Sequence, residues 1–353
     1  MPDFFELSAG DQGDVLETAA QTLGRPAYVL EKDIYVVWVL GRIFSAPIGD
    51  HITFKGGTSL SKVYRLIDRF SEDLDLTYDV RQMLQRAESE IPESSSQARR
   101  WTEEVRKQLP IWIEQVVAPL LEEAIAAAGI KLDLQQEGDK LYLHYPPRTP
   151  ASSYIQPRVL LEFGARSTGE PHSRHPVTCD LVQAGLEGVS FPEANPVVMD
   201  VARTFWEKAT AAHVYCMQEH LKSERFARHW HDLVSIANNP EFAAVVSQRD
   251  IARNVAEHKS WFFREKAADS SVVNYHQAVA GNLLLVPTGR ALSNLEEDYL
   301  SMIAGGMFET TPPSFTDLIS ACTELEKRLN GVVSRKPRNF RQPINMACLA
   351  LGR

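Results

Sequence analysis

Asp73 and Asp75 stand two residues apart in SEDLDLTYD, a stretch that alternates polar and apolar side chains. On a strand, residues i and i+2 point to the same side, so the two carboxylates share one face while Leu74 and Leu76 take the other. Like charges at that spacing repel and desolvate badly, and a cation between them relieves both costs. Hard oxygen donors on a rigid element suit Mg²⁺ or Mn²⁺. Just upstream, Lys55 leads into Gly56 and Gly57, which let the backbone turn tightly and approach a ligand. Thr58, Ser59 and the start of the following helix offer hydroxyls and N–H groups to an anion, phosphate being the natural one. Metals on paired carboxylates beside a held triphosphate make the equipment of nucleotidyl transfer. Taken singly, the glycines with Thr and Ser read as a turn with an N-cap, and the aspartates as a solvated strand edge. Their order in one strand, turn, helix, strand unit points to function.

Other chemistries lack their motifs. A P-loop needs a glycine directly before its lysine, which GGTSLSK does not have, and neither GxGxxG nor GxSxG occurs. His172 and His175 form an HxxH within a Pro-rich loop with no helix to organise it, which reads as surface rather than zinc. Cys179, Cys216, Cys322 and Cys348 are far apart with no CxxC pair, so neither a disulfide framework nor structural zinc is expected, and a reducing cytoplasm fits.

The elements that must position these groups follow from periodicity. Residues 28–45 read as a helix, HITFK as a strand, TSLSKVYRLI as a helix after the GG turn, and SEDLDLTYD as a second strand. A long helical pattern at about 96–129 is interrupted at Pro110 and stopped at Gly129. KLDLQQEGDKLYLHY reads as a hairpin, PRVLLEFGARS as a strand, and PVTCDLV with VSFPEANPVVMD as short extended pieces. From about Asp200 onward every periodic segment is helical. The expected architecture is an α/β lobe with a mixed sheet over residues 1–198, followed by an all-α unit over 199–353.

With 353 residues, 44% hydrophobic and 24% charged, the chain has ordinary globular composition, which argues against disorder. Its acidic N-terminus does not resemble an export signal, and IYVVWVLGRIF is too short to span a bilayer, so no membrane is expected. A net charge of −9 argues against a nucleic-acid-coated protein, but local patches are a separate matter. The segment 331–353 carries Arg335, Lys336, Arg338, Arg341 and Arg353 around Phe340 with no acid, either a solvated basic tail or a grip for nucleic acid.

FKGGTSLSKVY followed by RFSEDLDL resembles the motif of the AbiEii/AbiGii nucleotidyltransferase toxins, the toxin half of type IV abortive-infection toxin–antitoxin systems. The similarity extends to EKDIYVVWVL, DVARTFWEKATAAH, RFARHWHDL, DYLSMIAGGMF and LEKRLN, and so to most of the chain. It implies a DNA polymerase β-like core with a helical C-terminal domain, using NTP and Mg²⁺, with a cognate antitoxin as partner. Carried over by position, Ser71 and Asp73 match the active-site serine and metal-binding aspartate, Asp75 the second carboxylate, and Gly57 with Ser59 the nucleotide-holding turn. Lys208 would contact the triphosphate and Asp232 complete the site from a neighbouring helix. Such enzymes commonly add a third carboxylate from a later strand, for which Glu162 is the candidate; a salt bridge to Arg158 or Arg166 explains it equally well. Lys55, Arg69, Arg225 and Arg228 are candidate phosphate braces.

The expected activity is therefore transfer of a nucleotide from NTP to an acceptor. The resemblance favours the tRNA 3′ end. A protein or small-molecule acceptor, or a non-catalytic NTP- or antitoxin-binding role, is the alternative.

Overall fold

The computed structural model describes residues 1–69, 71, 73–87, 90–149, 156–218, 226–308 and 310–331. Arg225 and the basic tail from Arg335 to Arg353 lie outside the described residues. The first part of the chain runs α1 (Ala9–Leu23), α2 (Ala27–Ser45), β1 (Ile52–Lys55), α3 (Gly56–Lys62), β2 (Asp73–Asp79), α4 (Val80–Met83), α5 (Ser95–Trp112) and α6 (Ala118–Ala128). The strands β3 (Asp133–Glu137), β4 (Lys140–His144), β5 (Arg158–Ser167), β6 (His172–Arg174), β7 (Val177–Thr178), β8 (Glu193–Ala194) and β9 (Val197–Met199) follow. Among the described residues, the elements named after β9 are helices: α7 (Val201–Gln218), α8 (Arg228–Asn238), α9 (Arg249–Phe262), α10 (Tyr275–Val279), α11 (Gly289–Ala304) and α12 (Phe315–Gly331).

Seven strands form one mixed sheet in the order β3-β4-β5-β2-β1-β9-β6, with β7 and β8 paired separately. β2 is central: it runs parallel to β5 and antiparallel to β1. Its two-residue alternation is the one the sequence carries. Leu74 and Leu76 are fully buried against one apolar core, and Asp73 and Asp75 take the opposite face. That core is closed by α1, α2, α5 and α6, and a second apolar core is built mainly from α7–α12 with Leu60, Leu66 and Ile67.

α2 is buried on nearly all sides, as its unbroken apolar run demands, yet it carries Glu31, Lys32 and Asp33. Each charge is answered. Glu31 accepts from Thr149 Oγ1 at 2.6 Å, and Asp33 meets Lys62 Nζ at 2.5 Å. The second contact ties α2 to the end of α3 and so fixes the helix that follows the glycine pair.

Three elements differ from expectation. The helix after β1 begins at Gly56 itself and ends by Lys62, because Arg65 adopts a left-handed backbone (φ +49°) and turns the chain. Pro110 sits inside α5 without breaking it; the irregularity comes next, as a wide turn over Ile113–Val117 before α6, and Gly129 ends α6 in the left-handed conformation. His172 is on strand β6 rather than in a loop, with Nδ1 3.3 Å from Thr53 Oγ1.

Candidate active site

The turn from β1 into α3 is shaped around the β2 carboxylate. Lys55 pairs across the sheet with Asp75, and Gly56 follows at φ +80°, where a Cβ would lie 1.9 Å from Asp75 Oδ2. Glycine is required there twice over, by conformation and by space. Gly57 is similarly confined, since a Cβ would meet Ser71 Oγ at 2.6 Å. Thr58 Oγ1 donates to Asp73 O at 2.6 Å and can accept from Ser71 Oγ at 3.0 Å, and Ser59 Oγ donates to Gly56 O at 3.0 Å. Both hydroxyls are buried and lock the turn, which leaves the glycine backbone as the surface open to a ligand.

Asp75, Gly56, Gly57, Lys55, Lys208 and Arg228 border one cavity of about 410 Å³ between the sheet and α7–α9. Asp75 makes no hydrogen bond or ion pair among the described residues, and its carboxyl is held above the usual carboxylate range, chiefly by burial, with Lys55 and Arg228 pulling the other way. A negative charge there is under-compensated. Asp73 shares that strand face but does not border the cavity, so of the two carboxylates it is Asp75 that faces the space in which a divalent cation could take further ligands from water and substrate phosphates. Among the described residues, no group of three or more His, Cys, Asp or Glu side chains is arranged as a metal cage. Glu162 lies directly across from Asp75 on β5, but its ion pair is with Lys140 of β4, at 2.5 Å. Arg158 and Arg166 are turned to rings instead, over Tyr142 at 4.6 Å and Phe263 at 4.3 Å.

Lys208 comes from α7, whose start is capped by Asp200: the Ala202 N–H donates to its Oδ1 at 2.7 Å. Its Nζ is 2.9 Å from Asp232 Oδ2 and 3.5 Å from His229 Nδ1. Asp232 has no solvent exposure and does not border the cavity; it stands behind Lys208 and is also gripped by Arg69 at 2.7 and 2.6 Å. Burial pushes the Asp232 carboxyl up, but Arg69 and Lys208 outweigh it and hold it well below the carboxylate range. Burial and then the Lys208 and Arg228 charges push His229 well below its ordinary value, so it is neutral at pH 7 and can accept from the ammonium. A larger cavity, about 580 Å³, lies elsewhere; it is bordered by Ser71, Thr58, Lys32, Arg25 and Arg65, and Asp75 does not reach it.

The model of the family described as nucleotidyl transferase AbiEii toxin, type IV TA system, matches residues 38–321. The chain belongs to the AbiEii nucleotidyltransferase toxin family. This AbiEii protein is thus a nucleotidyltransferase, and the match takes in β1, the glycine turn, both aspartates, Lys208 and Asp232. A comparison with curated protein sequences finds no significant match. Among solved structures it is similar to JHP933 from Helicobacter pylori, at 13% identity and a TM-score of 0.40 over 89% of this chain and 93% of that one. It is also similar to a provisionally assigned H. pylori nucleotidyltransferase, at 13% and 0.40 over 86% and 94%.

Several groups on the AbiEii cavity wall have no motif in the sequence to mark them. Thr204 precedes Lys208 by one helical turn and so shares its face, a signal legible from spacing once Lys208 is singled out. His258 and Phe263 come from α9 and the residue following it, and only the packing of that helix against the end of β5 brings them in.

Proposed function

We infer that this AbiEii protein transfers a nucleotide from NTP to the 3′ end of an RNA, with tRNA the favoured acceptor. The observation that carries the reading is the shared cavity: an under-compensated Asp75, the Gly56–Gly57 backbone and the Lys208 ammonium border one space of nucleotide size. Asp73 and Asp75 would hold Mg²⁺ or Mn²⁺, which when bound neutralises triphosphate charge and polarises the α-phosphorus. Lys208, fixed by Asp232, and Arg228 hold the departing pyrophosphate, and the glycine backbone admits the phosphates closely. The acceptor hydroxyl attacks the α-phosphorus, a new phosphodiester forms, and pyrophosphate leaves. Ser71 sits where Gly57 and Thr58 fix it, at the border of the larger cavity, whose wall sets Arg25, Lys32 and Arg65 beside Asp33, Asp68 and Asp180.

In this reading residues 1–198 form the catalytic unit and 199–353 the helical unit that brings Lys208, a cognate antitoxin restrains the enzyme, and the reaction takes place in the cytoplasm. Among the described residues no helix is long and apolar enough to cross a membrane. The test is sequencing of RNA 3′ ends after expression. Untemplated 3′ nucleotides with the wild type and none with Asp73→Ala support it; unmodified RNA with both, or label on protein instead, contradicts it.

A further inference from the structure

The far end of the same cavity holds two buried polar atoms with nothing to bond. Thr204 Oγ1 and His258 Nδ1 have no hydrogen-bond partner among the described residues, and both residues border the space that Asp75 and Lys208 border. A buried polar atom left unpaired is costly, and a native protein keeps one where something else completes it. We propose that His258 and Thr204 bind the hydrogen-bonding edge of the incoming nucleotide's base, with the Phe263 and Arg166 planes as the wall beside it.

The inference rests on the NTP reading above and assigns the other end of the substrate. Asp75 is level with Glu162 on β5, and His258 contacts that strand at Arg166, four residues on. At the rise of a strand, that is about 13 Å from the carboxylate rung, the scale of a nucleoside extending from its α-phosphate. Between them β5 carries Gly164 opposite Thr77, so no side chain rises from that position into the path. Phe263 is partly exposed, with Arg166 stacked at 4.3 Å and the His258 ring at 5.6 Å. Flat side chains of this kind are what bases pack against.

The hydrogen-bond sense at His258 is fixed. Its Nε2 is 2.7 Å from the Arg166 carbonyl oxygen, which can only accept, so Nε2 carries the hydrogen and Nδ1 of the neutral ring is an acceptor. Burial, and then the Arg203 charge, push His258 down to about 4, which keeps the ring neutral at pH 7. His258 therefore takes an N–H from the base, while the Thr204 hydroxyl can give a hydrogen to the ring nitrogen or carbonyl next to it. Glu207, one turn of α7 beyond Arg203, is tied to that arginine at 3.0 Å and leaves the base edge to these two groups.

Equilibrium binding of each of the four NTPs and of inorganic tripolyphosphate, with Mg²⁺ present, tests this on the full-length protein without requiring turnover. The wild type is expected to prefer some bases over others. Thr204→Val, which keeps the side-chain volume, and His258→Ala should each reduce that preference about tenfold, one lost hydrogen bond, with tripolyphosphate affinity retained. Absence of base preference in the wild type, unchanged preference in both variants, or equal loss for NTP and tripolyphosphate overturns the assignment. Base-selective binding without RNA labelling would leave the inference standing and sink the transfer reaction, so the two fail separately.

Discussion

Arg69 holds Asp232 through both carboxylate oxygens, at 2.7 and 2.6 Å, where neither side chain meets solvent to more than 1%. The pair joins the segment before β2 to α8, and Lys208 completes it from α7 at 2.9 Å. Asp232→Ala strands two cations in the interior, and the expected cost is about 3–5 kcal/mol of unfolding free energy. Urea unfolding should show it, with a smaller loss for Asp232→Asn, which keeps an acceptor. Because the folded Asp232 carboxyl lies below its unfolded value, its stabilising effect is complete above about pH 4 and is lost as pH falls through the lower, folded value.

Gly56→Ala puts a methyl where the Asp75 carboxylate is. Since Gly56 is also at φ +80°, the variant should lose about 1–2 kcal/mol from the backbone alone and more from the collision. The diagnostic measurement is a double-mutant cycle with Asp75→Ala. The pair should be more stable than Gly56→Ala alone, because the collision is gone, while transfer stays abolished. Simple additivity would show that the two groups do not meet.

The carboxylates should separate by rank. Asp75→Asn and Lys208→Ala are each expected to lower turnover about 10²–10³-fold. Glu162→Gln should lower it less than tenfold, because Glu162 is engaged by Lys140 in a partly exposed pair worth at most about 1 kcal/mol. Steady-state transfer rates at saturating Mg²⁺ and NTP decide it, and a Glu162 loss matching that of Asp75 would make Glu162 a third metal ligand.

The contrast shows which parts of the site a sequence can carry. The β2 face was legible because period-two alternation is local, and Gly56 because only one residue type tolerates its backbone and its crowding. Lys140 was invisible as the partner of Glu162, since that contact depends on the β3–β4 hairpin registering Lys140 against Glu162. Arg69 reads from the sequence as a phosphate brace and Asp232 as a site residue on a neighbouring helix, while in the fold they grip one another in the interior; 163 residues separate them, and no local pattern encodes such a pairing. The length of α3 was missed because Arg65 turns the chain in a conformation more usual for glycine.

Acid should weaken the fold through its buried histidines before the ordinary carboxylates titrate. Burial pushes His213 down to about 4, and its Nδ1 accepts the Leu284 N–H at 3.0 Å, so it is folded in the neutral form. Between about pH 4 and 6.5 the unfolded chain binds the proton that the folded one refuses, and stability falls with pH across that window, by up to about 3 kcal/mol for this residue. His258 contributes in the same direction. Unfolding free energies measured from pH 7.5 to 4.5 should show the decline, to which His229 also contributes, and His213→Asn should flatten about a third of it.

We propose that Asp73 and Asp75 act together to move a nucleotide onto an acceptor. Purified protein incubated with α-labelled NTP, Mg²⁺ and tRNA tests it most directly. Label at the RNA 3′ end with the wild type, and its disappearance with either Asp73→Ala or Asp75→Ala in folded protein, is the result predicted; label that persists in either variant contradicts the claim.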